Sequence, residues 1–380
     1  MTAAVRLQPA NSRPEQGLDR MAWITPEFTS GTVNRAGKLL VSVDEYTLAD
    51  EDYDEALKVI NNWRACHAYP LLALRMTLTT RAKKVDARAI VAQRLKRLSS
   101  IHIKLIRNEH MALSQMQDIG GCRAVVRSVS HVDRLVSLHE TAASARPLSG
   151  AELVKKYDYV VTPKTDGYRS VHLIYKYRSA AKDKAVWNGL RIEIQIRSRL
   201  QHAWATAVET VDTFTRQSIK TGGGKDDWRR FFLLMATAIA IMERRPHCKG
   251  CPQDINAIRT ELISLVHKLS VRSVLRGWSK AMKRLPSRTT KNAAVYLLYL
   301  DATEGDERIK ITGFASARQA KASETYLATE RMIKDKPTHQ AVLVSAHSLQ
   351  SLRSAFPNYF ADTRVFIDAV NIAVGLRPPS

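Results

Sequence analysis

The chain has 380 residues, enough for two or three domains with ample core. Apolar residues make up 45% and charged residues 25%, as in ordinary globular proteins, but 59 Lys+Arg against 36 Asp+Glu leave a net charge of +23, a surface suited to polyanions. Four cysteines (Cys66, Cys122, Cys248, Cys251) argue against a disulfide scaffold and for a reducing, cytoplasmic setting. MTAAVRLQPANSRPEQ lacks the apolar centre of a signal peptide. The longest apolar run, Phe231 to Met242, is too short to cross a bilayer and reads as a buried helix, so no membrane partner is expected.

Residues 1–50 are polar, contain Pro9, Pro14 and Pro26, and read as an irregular arm. Residues 51–110 read as helical, with Leu57, Ile60, Trp63 and then Leu71, Leu74, Leu78 at helical spacing and Pro70 between. Residues 81–110 are strongly basic. From Gln117 the pattern changes. Cys122–Arg127 and Tyr157–Thr162 read as strands, and Asp133–Ala143 as a helix. Ser170–Tyr177 and Leu190–Arg197 alternate apolar and polar, as half-buried strands do. A helix follows from Leu200 to about Phe214. Thr221-Gly-Gly-Gly-Lys225 does not fit a Walker loop and reads as a flexible connector. Residues 228–285 are helical. Residues 293–375 suggest an α/β unit: strands Ala294–Leu300 and Arg308–Thr312 joined through Glu304-Gly-Asp306, helix Ala315–Ile333, strand Gln340–Ser345, a short helix near Ser348, and a last strand or helix over Val365–Val374. The predicted class is α/β (α+β), a mixed sheet flanked by helices plus a small C-terminal α/β domain. Its boundaries are an arm at 1–50, a main domain at 51–220, a helical connector at 221–290 and the small domain at 291–380.

Four clusters carry possible chemistry. In Arg94-x-Lys96-x-x-x-Ser100-Ile-x-x-Lys104, closely spaced cations repel unless a polyphosphate lies between them; the plain alternative is a solvated basic face. In Asp118-Ile-Gly-Gly-Cys-Arg123, a carboxylate at a strand mouth beside phosphate-binding cations suits Mg²⁺, or is a turn aspartate. In Pro163-Lys164-x-Asp166-Gly-Tyr168-Arg-Ser170-Val-His172, a tyrosine next to glycine can stack on a base or pack on the core. In Arg191-x-Glu193-x-Gln195-x-Arg197, period two puts four polar residues on one strand face, costly to bury without a ligand, while Ile192, Ile194 and Ile196 face the core.

Together the clusters resemble the RelA/SpoT alarmone synthetase domain: R-x-K-x-x-x-S-I-x-x-K, D-I-x-G-x-R, P-K-x-x-G-Y-x-S-x-H and E-I-Q-I-R, in that order over about residues 85–215. The resemblance implies a mixed, nucleotidyltransferase-like sheet and Mg²⁺-dependent transfer of pyrophosphate from ATP to a ribose 3′-hydroxyl. By the same resemblance Arg94 and Arg123 would sandwich adenine, while Lys96, Ser100 and Lys104 would hold the ATP phosphates. Asp118 and Glu193 would bind Mg²⁺, with Glu193 activating the attacking hydroxyl. Tyr168 would stack on the acceptor base, and Lys164, His172 and Gln195 would lie at the acceptor. Asp166 stands where the family usually has Asn, an added negative charge that disfavours a phosphate-rich acceptor. No His-Asp hydrolase motif lies upstream.

The acceptor stays open. The +23 charge, Asp166 and the appended C-terminal unit favour the 3′-CCA end of tRNA, as in the toxic subgroup with a fused antitoxin domain (the CapRel phage-defence type), whose trigger is a phage protein. The alternatives are GTP/GDP as acceptor, giving (p)ppGpp, another adenine nucleotide, or a non-catalytic basic RNA-binding protein. Tyr296 and Tyr299 resemble the Y-x-x-Y element by which such antitoxins cover the ATP site; otherwise, three apart on a strand, one is core and one edge. His247, Cys248 and Cys251 form half a zinc site with His267 a candidate, or a helix-terminal loop.

Overall fold

The computed structural model describes residues 23–42, 50–145, 150–215, 225–284, 295–301, 308–333, 336, 339–345 and 359–375. Five strands form the central sheet: β1 (Ile90–Leu95), β2 (Gly120–Val126), β3 (Gly150–Asp158), β4 (Val171–Arg178) and β5 (Arg191–Ser198), in the order β1-β2-β5-β4-β3. Only β2 and β5 run parallel. Ile192, Ile194 and Ile196 are fully buried on one face, with Cys122, Ala124, Leu173 and Tyr175 beside them in register. Helices Ala68–Val85 (α3) and Val129–Ala145 (α5) cover this face, contributing Leu71, Leu74, Leu78, Val132 and Leu135. Because side chains alternate, Glu193, Gln195 and Arg197 point to the other face.

Several expectations need correction. Residues 30–42 form a helix, α1 (Ser30–Ser42), not an irregular arm. Thr29 caps it by accepting the Thr32 N–H at 3.2 Å. Val33, Ala36 and Leu40 then fall on one stripe, which packs with helix Asp50–Ala65 (α2) and helix Leu98–Ile106 (α4). The helical reading of 51–110 also fails at Ile90–Leu95, where Ile90 and Val91 favour extension and β2 supplies an antiparallel partner. Arg94 therefore sits on a strand, and Arg97 is the N-cap of α4. The strand expected at Tyr157–Thr162 lies earlier, at Gly150–Asp158. The Asp158 carboxylate accepts the Val160 and Val161 N–H groups at 3.0 Å and turns the chain out of the sheet.

Helices Arg199–Thr215 (α6), Lys225–Met242 (α7), Ile255–Lys268 (α8) and Val271–Arg284 (α9) follow. A second sheet, order β7-β6-β8, comprises β6 (Val295–Asp301), β7 (Arg308–Phe314) and β8 (His339–Ser345), and helix α10 (Gln319–Ile333) packs on it. Helix α10 starts at Gln319, after a 3-10 turn over Ser316–Arg318, rather than at Ala315. The last element is a helix, α11 (Tyr359–Ala373), which buries Phe366, Ile367 and Val370. Tyr296, Leu298 and Leu300 of β6 share one apolar cluster with Phe231 of α7, Leu275 and Trp278 of α9, and Phe366 of α11. One core therefore crosses the expected boundary at residue 290. The expected connector loop at 221–224, the Glu304–Asp306 turn and the short helix near Ser348 lie outside the described residues.

Candidate active site

Register lines up the polar face of the sheet. Ala92, Arg123, Gln195, His172 and Tyr157 form one row across the five strands; Arg94, Gly121, Glu193 and Ile174 form the next. Gly121 has no side chain between Arg94 and Glu193, and a Cβ there would meet nothing closer than the Glu193 carbonyl oxygen at 3.9 Å. That gap opens a cleft lined by Gln93, Arg94, Asp118, Arg123, Glu193 and Gln195. Gly120 does the opposite job: a Cβ there would come within 2.6 Å of Ile192 Cδ1 on the packed face.

Asp118 lies just ahead of β2, where Lys96 Nζ donates to Oδ2 at 2.7 Å and Lys104 Nζ to Oδ1 at 2.8 Å. Burial alone would raise its pKa, but the two ammonium groups outweigh that and hold the carboxyl below its ordinary value. Burial in turn lowers Lys96, which the Asp118 charge partly restores. Glu193 is balanced the same way. Its burial is offset by hydrogen bonds from His172 Nδ1 (2.8 Å) and Gln195 Nε2 (2.7 Å), leaving the carboxyl below its usual range. Both acids are thus ionised at neutral pH.

The Pro163–His172 loop makes the other half of the site. Gly167 has φ +91°, and a Cβ there would come within 2.7 Å of Ala236 Cβ on α7. Asp166 is exposed, and its Oδ1 accepts the Tyr168 N–H at 2.9 Å. A local turn bond of this kind needs only a side-chain oxygen, which Asn and Asp both have. Tyr168 hydrogen-bonds His172 Nε2 at 2.8 Å through its hydroxyl. Lys164 Nζ lies 5.0 Å from the Tyr168 ring centre and 4.8 Å from that of Tyr159. Arg169 is buried and ties the loop to the segment after α7, donating to Val160 O at 2.8 Å and Pro246 O at 2.5 Å.

The structure thus brings Arg94, Asp118, Arg123, Glu193 and Gln195 around one cleft, with Lys96 and Lys104 bound to Asp118 and with His172, Tyr168 and Lys164 linked through Glu193. Ser100 is in the first turn of α4 and lines neither this cleft nor the larger one beside it. That larger, open cleft has a volume of about 800 Å³, shares Lys104, and is lined by Arg107, His110, Gln117, Tyr157 and Arg191 among others. Lys104 and Arg191 of its walls stood in the sequence clusters, but Arg107, His110 and Gln117, and the contacts of Tyr159 and Arg197 with Tyr168, were not singled out from the sequence. Arg197 was visible as the next period-two residue after Gln195, and Tyr157-x-Tyr159 as a paired aromatic signal ahead of the glycine loop.

Tyr296 and Tyr299 line neither cleft. Tyr296 is buried in the core shared with α9, and Tyr299, on the opposite face of β6, lies 5.8 Å from His339 ring to ring. The Cys248–Cys251 loop packs rather than converges: Arg169 donates to Cys248 Sγ at 3.5 Å, and the Cys251 thiol donates to Leu233 O at 3.7 Å. Among the described residues no three His, Cys, Asp or Glu cluster as metal ligands, and no helix is long and apolar enough to cross a membrane.

A mixed sheet bearing two ionised carboxylates within a belt of lysines and arginines is chemically suited to a polyphosphate. Residues 93–213 match the pattern described as the region found in RelA / SpoT proteins, so the chain carries a RelA/SpoT region. It is 30% identical over 118 residues to the GTP pyrophosphokinase YwaC of Bacillus subtilis (strain 168), a match covering 30% of this chain and 52% of that protein. The chain therefore spans about half the length of this curated relative. Two solved structures from the same organism are similar: small alarmone synthetase 2 (TM-score 0.40, 21% identity, 48% of this chain and 94% of the other) and small alarmone synthetase 1 bound to its product pppGpp (TM-score 0.38, 21% identity, 48% and 94%).

Proposed function

We propose that this chain is an ATP-dependent pyrophosphokinase whose acceptor is a ribose 3′-hydroxyl. The observation that carries the reading is the single cleft in which Asp118 and Glu193 face Arg94 and Arg123. Arginine planes suit stacking on an adenine, and Lys96 and Lys104 suit phosphate oxygens. An entering triphosphate would compete with Asp118 for both ammonium groups. The donor set fits magnesium, a hard cation that takes one or two carboxylates plus phosphate oxygens. Asp118 and Glu193 would hold it, and it would supply neutralisation of the charge on the triphosphate.

In the proposed reaction the acceptor oxygen attacks the β-phosphorus of ATP. The bond from that phosphorus to the α–β bridging oxygen breaks, AMP leaves, and the hydroxyl proton passes to Glu193. His172 and Gln195 each take one lone pair on a different Glu193 oxygen, so each oxygen keeps one free for that proton. Tyr168, with Lys164 over its ring, offers a stacking surface for the acceptor base.

For the acceptor we infer an RNA 3′ end, with tRNA the leading choice. The +23 charge and the open cleft along Lys104, Arg107, His110 and Arg191 support an acceptor that continues beyond one nucleotide. GTP or GDP is the second reading, supported by the resemblance to a protein named as a GTP pyrophosphokinase. The test is incubation of the full chain with γ-labelled ATP and Mg²⁺ plus tRNA, GTP or GDP. Label in RNA is expected, and label only in a nucleotide would establish the second reading. Glu193→Gln should cut turnover by about 10²–10⁴-fold, the usual share of a general base. An unchanged rate, or no transfer by wild type to any acceptor, would refute catalysis and favour a non-catalytic RNA binder.

A further inference from the structure

Three tyrosines run in contact from the glycine loop to the edge of the central sheet. Lys155, Tyr157 and Tyr159 alternate along β3 and its continuation, where the Tyr159 N–H donates to Ser170 O at 3.0 Å, so all three project to the polar face. The Tyr157 and Tyr159 rings lie parallel, 5.9 Å apart with 5° between their planes, and Tyr159 meets the Tyr168 ring edge-on at 6.1 Å. Cations flank the series: Lys155 Nζ is 4.7 Å from the Tyr157 ring centre, and Lys164 Nζ lies beside both Tyr159 and Tyr168. Tyr157 also belongs to the wall of the open cleft of about 800 Å³, together with Lys104, Arg107, His110 and Arg191; Glu109 is the one acid among its described lining residues.

Tyr157 and Tyr159 are half-buried, yet neither belongs to an apolar cluster of the described residues. A ring that served the core would pack on aliphatic side chains, whereas these pack on each other and on ammonium groups. Lys155 and Tyr159 stand two residues either side of Tyr157, so they flank its ring from opposite sides. The 5.9 Å spacing is less than two stacking steps of ~3.4 Å, so no base fits between the two tyrosines. The face under Lys155 is the one a base can take. Lys155 is exposed and pairs with no carboxylate among the described residues, so a base there displaces only a weak cation–π contact.

We propose that Tyr157 is a stacking platform for a base upstream of the reacting 3′ nucleotide, so that the acceptor is a single strand of RNA held at two points, its terminal base on Tyr168 and an earlier base on Tyr157. This rests on the RNA reading of the acceptor given above. Aromatic rings interleaved with cations hold single strands with little regard to sequence, because every base has a π-face and every phosphate a charge. A mononucleotide acceptor reaches only the first point.

The experiment compares binding of AMP and of the RNA trinucleotide pCpCpA to the full chain by calorimetry at one fixed salt concentration, with the donor site filled by a non-hydrolysable ATP analogue and Mg²⁺. The trinucleotide should bind more tightly than AMP. Tyr157→Ala should erase roughly 5–150-fold of that gain, the worth of one stacked base. Tyr157→Leu, which keeps side-chain bulk on the edge strand if the alanine variant folds poorly, should erase it too. Tyr157→Phe should keep it, because the ring face and not the hydroxyl is used. With tRNA as acceptor in transfer assays, Tyr157→Ala and Tyr157→Leu should raise the acceptor KM by a similar factor. No gain from AMP to trinucleotide in wild type would overturn the proposal. So would a gain that survives both Tyr157→Ala and Tyr157→Leu, a gain lost in Tyr157→Phe, or a fall in kcat with the acceptor KM held. Absence of RNA labelling by wild type would refute the RNA reading by itself, whereas the binding comparison needs no turnover and decides the platform.

Discussion

Deleting residues 290–380 should unfold the helical half of the protein rather than release an active enzyme. The deletion removes β6, β7, α10, β8 and α11. With them go Tyr296, Leu298, Leu300, Phe366, Ile367, Val370 and Val374, all buried in one cluster with Phe231, Met235, Leu275 and Trp278. Contact is intimate: the Phe366 ring lies 5.9 Å from Phe232, and a Cβ on Gly277 of α9 would come within 2.3 Å of Leu300 Cδ1. At about 1.5–3 kcal/mol for each large apolar side chain, the lost burial is roughly 10–20 kcal/mol. That matches or exceeds the ~5–15 kcal/mol by which a whole domain is normally stable. Helix α6 leads straight out of β5 and packs against α11, so the damage should reach the strand that carries Glu193. The assay is expression of residues 1–289 beside the full chain, followed by circular dichroism melting and limited proteolysis. A soluble fragment with a cooperative melt near that of the full chain would refute the shared-core argument. Toxicity from such a folded fragment would restore an inhibitory role for the C-terminal unit.

Two further outcomes follow from local geometry. Gly167→Ala should destabilise by about 1–3 kcal/mol, because φ +91° strains an L-residue and the new methyl meets Ala236. It should also raise the acceptor KM by moving Tyr168. Gly250→Ala is the control, with φ +80° but no atom within 4 Å, and a drop equal to that of Gly167→Ala would show that packing on α7 is not the cause. Burial pushes His139 down to about 3, so the unfolded chain binds a proton that the folded chain refuses between about pH 3 and 6.5. Stability attributable to this group should therefore fall as pH drops below 6.5, with a slope of about 1.4 kcal/mol per pH unit. Urea midpoints between pH 7 and 5 test this, comparing wild type with His139→Gln, which lacks the titration. Glu243, pushed up by burial, slopes the opposite way and is common to both proteins. Asp118 and Glu193 lie below their ordinary values and lose their contribution only at more acid pH. Identical slopes would refute a neutral buried His139.

The motif order predicted the RelA/SpoT region, and period two in Arg191–Arg197 placed Glu193 and Gln195 opposite the isoleucines, because alternation is a property of any half-buried strand. The sequence missed β1, whose strand pairing comes from a partner some thirty residues away. It also missed α1, a three-residue apolar stripe after a threonine cap inside a polar lead-in.

Chain order and residue type by themselves determined which groups were available for chemistry: cations before an aspartate, a tyrosine after a glycine, a glutamate on an alternating strand. Only the tertiary structure decided that Gly121 opens a gap beside Glu193 and that Tyr296 is core rather than cover. These depend on strand register and on which helices meet across more than a hundred residues. A local pattern does not carry them, because side-chain neighbours across a sheet are set by pairing, not by sequence distance.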